Sequence, residues 1–158
     1  MRFKNLSAIV LLFSFVTFSQ GVTVPVEVTN SFANLYPSVV AVEWDKEGKN
    51  EFEASFKDNG NNVTVTFEGN GTVLETETSI TANELPQSVE NYIAVNYSEF
   101  RITEAAKLSD ANGTITYEAE ITKDKVKHDL MFDKDGNFLK KKDSGNEKKE
   151  DKEEEDKD

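Results

Sequence analysis

No cysteine occurs anywhere in the chain. That excludes a disulfide framework, a thiolate nucleophile, a cysteine zinc site and a lipid-attachment cysteine. Histidine is almost as scarce, with His128 alone. A zinc site needs about three His, Cys or carboxylate ligands, which one histidine does not anchor. Nucleophilic catalysis needs a Ser, Cys or Thr beside a base, and the base is missing unless His128 supplies it. By strand alternation His128 shares a face with Val126, Leu130 and Phe132, which reads as a partly buried structural position. Positive charge is also in short supply: 18 Lys and Arg stand against 30 Asp and Glu, a formal net charge of −12. Nucleic acid and anionic lipid both require a basic footprint, so neither is an expected partner. Glycines fall singly in turns, so no phosphate-cradling loop is present.

Long apolar runs are absent except at the start. Arg2 and Lys4 precede a stretch from Ala8 to Phe18 that is broken only by Ser14 and Thr17. A basic segment followed by about 10 apolar residues reads as a signal peptide over residues 1–19. A spanning helix would need about 20 apolar residues. Thr17 and Ser19 place small residues for cleavage near Ser19/Gln20. The expected location is periplasmic or secreted, with no membrane span in the mature chain. At the other end, residues 140–158 contain only Lys, Asp, Glu, Ser, Gly and Asn. Such a segment cannot bury enough apolar surface to order itself, so it reads as a disordered charged tail.

Between these ends the sequence repeats itself. Val24-Pro25-Val26-Glu27-Val28 returns as Leu85-Pro86-Gln87-Ser88-Val89, and Phe32 and Tyr36 return as Ile93 and Tyr97. Further on the offset grows by four: Phe52-Glu53-Ala54 matches Tyr117-Glu118-Ala119, and Asn70-Gly71 matches Asp135-Gly136. The extra residues are expected in the turn around Asp110-Ala111-Asn112-Gly113. Residues 20–84 thus form a first unit and 85–139 a second.

Each unit opens with a proline in a helical first turn, where a missing N–H costs nothing. Apolar residues follow at helical spacing: Val28, Phe32 and Leu35, then Val89, Ile93 and Tyr97. Pro37 stops the first helix, whereas Ser98 gives the second a weaker stop. Period-two runs then mark strands, separated by Asn-Gly and Asp-Gly turns that supply the positive φ of tight hairpins. The expectation is an α+β fold: a tandem repeat of a helix plus a three- to four-stranded antiparallel meander, with the helices on one face of the sheet. Val40, Val42, Trp44, Phe52, Phe56, Val65 and Phe67 are expected in the first core. Leu108, Tyr117, Ile121, Leu130 and Phe132 are expected in the second. The opposite face should be polar and wet.

These residues resemble a known family. The run from Val24-Pro25 to Tyr36-Pro37, then Val42-Glu43-Trp44, Phe52-Glu53-Ala54-Ser55-Phe56 and Gly69-Asn70-Gly71-Thr72, is similar to the PepSY-like, beta-lactamase-inhibitor-like proteins exported by Bacteroidetes. The resemblance implies a beta-lactamase-inhibitor-like sheet fold. It also implies a binding role, in which an open sheet face grips an enzyme. It carries no functional residue over to this chain.

Candidate chemistry is sparse. Glu118 and Glu120 sit at i and i+2 and read as a solvated pair, since acid–base catalysis needs a carboxyl in an apolar pocket. Asp133-Lys134-Asp135-Gly136-Asn137 fails as a calcium loop, because Gly136 at position 6 puts Met131 at 1 and Lys142 at 12. No cofactor is implied. What remains is the polar sheet face: Glu53, Ser55, Thr64 and Thr66 from the first unit, and Glu118, Glu120, Asp129 and Met131 from the second. The reading is an exported non-catalytic binding protein that docks another envelope or secreted protein there, as an inhibitor or modulator of an enzyme. The alternative is a periplasmic small-ligand or cation binder.

Overall fold

A computed structural model describes residues 22–143. The order is α1 (Val26–Leu35), β1 (Val42–Lys46), β2 (Glu51–Asp58), β3 (Asn61–Glu68), β4 (Val73–Ile80), α2 (Gln87–Asn96), β5 (Arg101–Asp110), β6 (Ile115–Lys123), β7 (Val126–Asp133) and β8 (Phe138–Asp143). A short 3-10 turn, Ala82–Glu84, leads into α2. The strands form one antiparallel sheet in sequence order, β1 to β8. Among the described residues no helix is long and apolar enough to cross a membrane.

The helices follow from their apolar spacing. Val28 and Phe32 lie four apart on α1, and Val89 and Ile93 four apart on α2; all four are buried. Prolines 25 and 86 occupy the N-caps. Both helices are ten residues long, and each ends with a backbone N–H donated back to the buried residue, Tyr36 to Phe32 and Tyr97 to Ile93. The second helix therefore stops at the matching place without a proline after Tyr97.

Two apolar clusters hold the helices down. Val28 and Phe32 are buried with Phe52, Ala54, Phe56, Val63, Val65 and Phe67. Phe32 meets Trp44 and Phe56 edge-on, with ring centroids 5.4 and 5.1 Å away. Val89 and Ile93 are buried with Leu85, Ala105, Ala119, Ile121, Leu130 and Phe132. One cross-strand row, Phe56–Val63–Thr78–Lys107–Tyr117–Phe132–Phe138, links the two clusters. Both helices consequently cover the same face. His128 lies on this side, its ring beside Tyr97 and Phe100.

Four expectations need correction. Val40 is fully exposed rather than in the core. Val39 N–H donates to Tyr36 O, so the turn after Pro37 delays entry into the sheet until Val42. Leu108 is buried, but on the face away from the helices, with Ala106 and Met131. The pairing of β5 with β6 shifts between Ile102 and Glu104, and one extra residue flips every later side chain to the other face. The length expected in the turn around Asp110-Ala111-Asn112-Gly113 lies instead in β5, which has ten residues against five in β1; the turns 47–50 and 111–114 are equally long. Finally, β8 takes in Lys140–Asp143, the start of the segment assigned to a disordered tail. The rest of that tail, and the signal segment, lie outside the described residues.

The long hairpins lock onto the helices. Gly71 has φ +85°, and a Cβ there would lie 2.6 Å from the carbonyl oxygen of Glu27 on α1. Gly136 holds the corresponding place against α2, where Ser88 Oγ donates to Asp135 O at 2.8 Å. Gly60, with φ +90°, has open space around it. Gly60→Ala should cost about 1 kcal/mol, from backbone strain alone. Gly71→Ala should cost roughly 2 kcal/mol more, because a helix backbone must also move. Urea denaturation of the two variants checks the difference.

Candidate functional site

The face away from the helices is built by the alternate residues of each strand. One row runs Glu43–Ser55–Thr64–Glu77–Leu108–Thr116. Beside it on β2 to β4 run Glu53–Thr66–Glu75. On the second half, Glu118 faces Ala106 and Met131, and Glu120 faces Glu104 and Asp129. Lys140 and Lys142 of β8 extend these rows past Met131 and Asp129.

All eight residues expected on the polar face are on it. They form cross-strand pairs Glu53–Thr66, Ser55–Thr64, Glu118–Met131 and Glu120–Asp129. The first two pairs are separated from the last two by β4 and β5. Those strands add Glu75, Glu77 and Glu104, which sequence reasoning missed. Glu75-Thr76-Glu77 could have been placed by alternation from Thr64 and Thr66. Glu104 could not, because its face depends on the bulge.

The face is not uniformly wet, contrary to expectation. Glu53, Glu120 and Asp129 are buried, at 7, 3 and 4% exposure. Met131 is buried with Ala106 and Leu108, so it anchors the face rather than projecting from it. The cause is shape. Pairing shifts at three places, in β3–β4, β5–β6 and β7–β8, and each such irregularity bends its strand. The middle of the face sinks into a recess of about 290 Å³ reaching from β3 to β7, with Glu77, Glu104, Glu118, Glu120 and Asp129 in its lining.

One carboxylate there is neutralised. Lys127 Nζ lies 3.0 Å from both oxygens of Glu120, and Thr103 Oγ1 donates to Glu120 Oε1 at 2.6 Å. Thr103 and Thr122 hydroxyls share a further bond of 3.0 Å. Among the described residues, Glu53 has only a long bond from Ser55 Oγ, at 3.4 Å. Oε2 of Glu118 is buried and has no hydrogen-bond partner among the described residues.

Lost hydration then moves the proton equilibria. Burial, with Glu118, Glu75 and Glu53 nearby, pushes Glu77 up to about 8. Burial raises Glu118 to about 7, against a lowering pull from Lys142. Burial, helped by Glu47 and Asp45, raises Glu53 to about 7. Glu75 and Glu104 are raised too, again mainly by burial. Near neutral pH the recess therefore holds a mixture of protonated and ionised carboxyls, able to donate and to accept hydrogen bonds.

That chemistry suits polar docking better than acid–base catalysis. A catalytic pair needs two environments that push one acid up and leave its partner an available base. Here Glu77, Glu118 and Glu53 rise together, and Glu120 spends both oxygens on Lys127. Among the described residues no group of three or more His, Asp or Glu is placed to hold a metal ion.

Fold and site together define an α+β protein with one antiparallel sheet, covered by helices on one side and presenting side chains on the other. A family model described as "Putative beta-lactamase-inhibitor-like, PepSY-like" matches residues 50–140, and the chain belongs to that family. Solved structures share the fold. A BLIP-like protein from Bacteroides fragilis is 23% identical, with a TM-score of 0.67, covering 81% of this chain and 93% of its own. A DUF2874 family protein from Bacteroides ovatus is 22% identical, with a TM-score of 0.70, covering 78% and 89%. A "putative periplasmic" protein from Bacteroides eggerthii is 20% identical, with a TM-score of 0.71, covering 76% and 88%. No curated protein matches significantly.

The raised carboxyls set a sign for stability against pH. Each binds more protons folded than unfolded between its ordinary value of 4.5 and its folded value near 7 to 8. Stability must fall as pH rises through that window. Asp110 and Asp133 work the other way. Hydrogen bonds, led by the Thr114 backbone N–H for Asp110 and the Asn137 side chain for Asp133, hold them below 3.8. Their contribution is lost only in stronger acid. Urea denaturation should thus show a maximum near pH 5 and a loss of roughly 3 kcal/mol by pH 9, after allowance for screening and coupling. Glu77→Gln combined with Glu118→Gln should flatten most of that slope.

Proposed function

We propose that this is an exported, non-catalytic binding protein that docks another envelope or secreted protein on the concave sheet face, as an inhibitor or modulator of an enzyme. The observation that carries the reading is the recess itself. It is a preformed, carboxyl-rich hollow on the side of the sheet that no helix of the described residues covers. Beta-lactamase-inhibitor-like family membership supports a binding role. The signal-like segment at residues 1–19 and the periplasmic description of the B. eggerthii neighbour support export.

The two halves read as tandem copies that build one surface. Gly71 against Glu27 and Gly136 against Ser88 are the same hairpin-to-helix contact made twice, at the offsets found in the sequence. The partner is expected to bring basic and hydrogen-bonding groups on a convex element. An acidic hollow attracts such an element and repels acidic ones.

The test is capture from envelope and culture fractions, using the protein as bait. Glu118→Lys combined with Thr64→Arg puts two positive charges on this face and should abolish capture of the specific partner. Glu27→Lys, on the exposed side of α1, should leave it within about twofold, as expected for a residue outside the contact. Equal capture by all three baits would move the binding surface elsewhere.

A further inference from the structure

The concave face is unevenly charged. Around the recess the carboxyls come from β2 (Glu53), β4 (Glu75, Glu77), β5 (Glu104), β6 (Glu118, Glu120) and β7 (Asp129), with Glu43, Asp45, Glu51, Glu68 and Asp110 farther along the same face. Asp45 and the turn residue Glu47 act on Glu53, and Asp110 at the end of β5 acts on Glu75. β3 supplies no charge in the hollow, only Asn62, Thr64 and Thr66. The cations on this face are Lys57 on β2, opposite Asn62, Arg101 on β5, opposite Thr122, Lys127 on β7, and Lys140 and Lys142 on β8. Lys127 is committed to Glu120. Lys142 acts on Glu75, Glu77 and Glu118, and Lys140 on Glu75. These lysines stand on the last strand, which has a single neighbour, β7, yet their influence reaches β4.

Carboxyls around the recess outnumber the lysines of β7 and β8 by about two to one. When they are protonated, the walls of the recess attract through hydrogen bonds. When all are ionised, they repel one another across the recess, against the pull of the lysines. Register shifts in β5–β6 and β7–β8 mark where the sheet is already bent between β4 and β8. We propose that the uncovered face is a proton-operated clasp: it closes over the recess when its carboxyls are protonated and spreads between β4 and β8 when they ionise. The raised proton affinities of Glu77 and Glu118 place the transition near neutral pH. The clasp would regulate docking, and in that use alone it rests on the function proposed above.

The experiment measures the spread directly, without a partner. The chain has no native cysteine. Cysteines replacing Asn61 on β3 and Leu139 on β8, both exposed and uncharged, can carry spin labels in the otherwise intact protein. Pulsed dipolar spectroscopy at pH 5.5 and 8.5 should show the mean separation lengthening at the higher pH. Adding Glu77→Gln and Glu118→Gln should hold it at the short value. An unchanged separation would overturn the clasp. So would lengthening that persists in the double glutamine variant, or loss of far-ultraviolet ellipticity at pH 8.5, since the open state is a folded one. Specific capture without movement would sink the clasp alone. Movement without capture would sink the docking reading alone.

Discussion

An eight-stranded antiparallel sheet has two faces, and the two ten-residue helices of the described chain both lie on one of them. Everything else follows from that imbalance. The covered face is solved conventionally, with aromatic and branched side chains packed under α1 and α2. The uncovered face has only its own side chains to lie against. Bulges bend the strands, the middle sinks, and Ala106, Leu108 and Met131 form a small apolar floor. Carboxyls around that floor lose water. A carboxylate that loses water without a cation holds its proton more tightly.

The lysines are distributed accordingly. Lys127 neutralises the most buried acid, Glu120, with bidentate geometry. Lys140 and Lys142 reach inward from the edge and moderate Glu75, and Lys142 moderates Glu118. The result is a surface whose charge is set near neutrality by proton uptake rather than by ion pairing alone. A partner bringing cationic groups would shift those protons off, which ties binding to pH.

Much of the architecture was legible from residue order. Val-Pro at 24–25, Leu-Pro at 85–86 and the Asn-Gly and Asp-Gly turns located both helices and most strands, because those signals act over a few residues. The faces of Glu53, Ser55, Thr64, Thr66, Glu118, Glu120, Asp129 and Met131 were legible too, since alternation is undisturbed within β2, β3, β6 and β7. Three features were not. Leu108 changed face because Thr103 sits in a bulge, and a bulge leaves no local mark in composition. Lys140–Asp143 joined the sheet because β7 offered an edge to pair with, a tertiary gain that a polar run does not announce. The raised proton affinity of Glu77 and Glu118 arises mainly from burial, which depends on how several strands line the recess together.

The uncovered face holds its carboxyls in partly dehydrated, mutually coupled positions. Carboxyl-carbon nuclear magnetic resonance across a pH titration, with Glu77 and Glu118 assigned by their glutamine variants, tests it most directly. Glu77 and Glu118 are expected to titrate as a coupled set with apparent midpoints near 7 to 8. Midpoints at the ordinary 4.5, alongside the exposed glutamates, would contradict it.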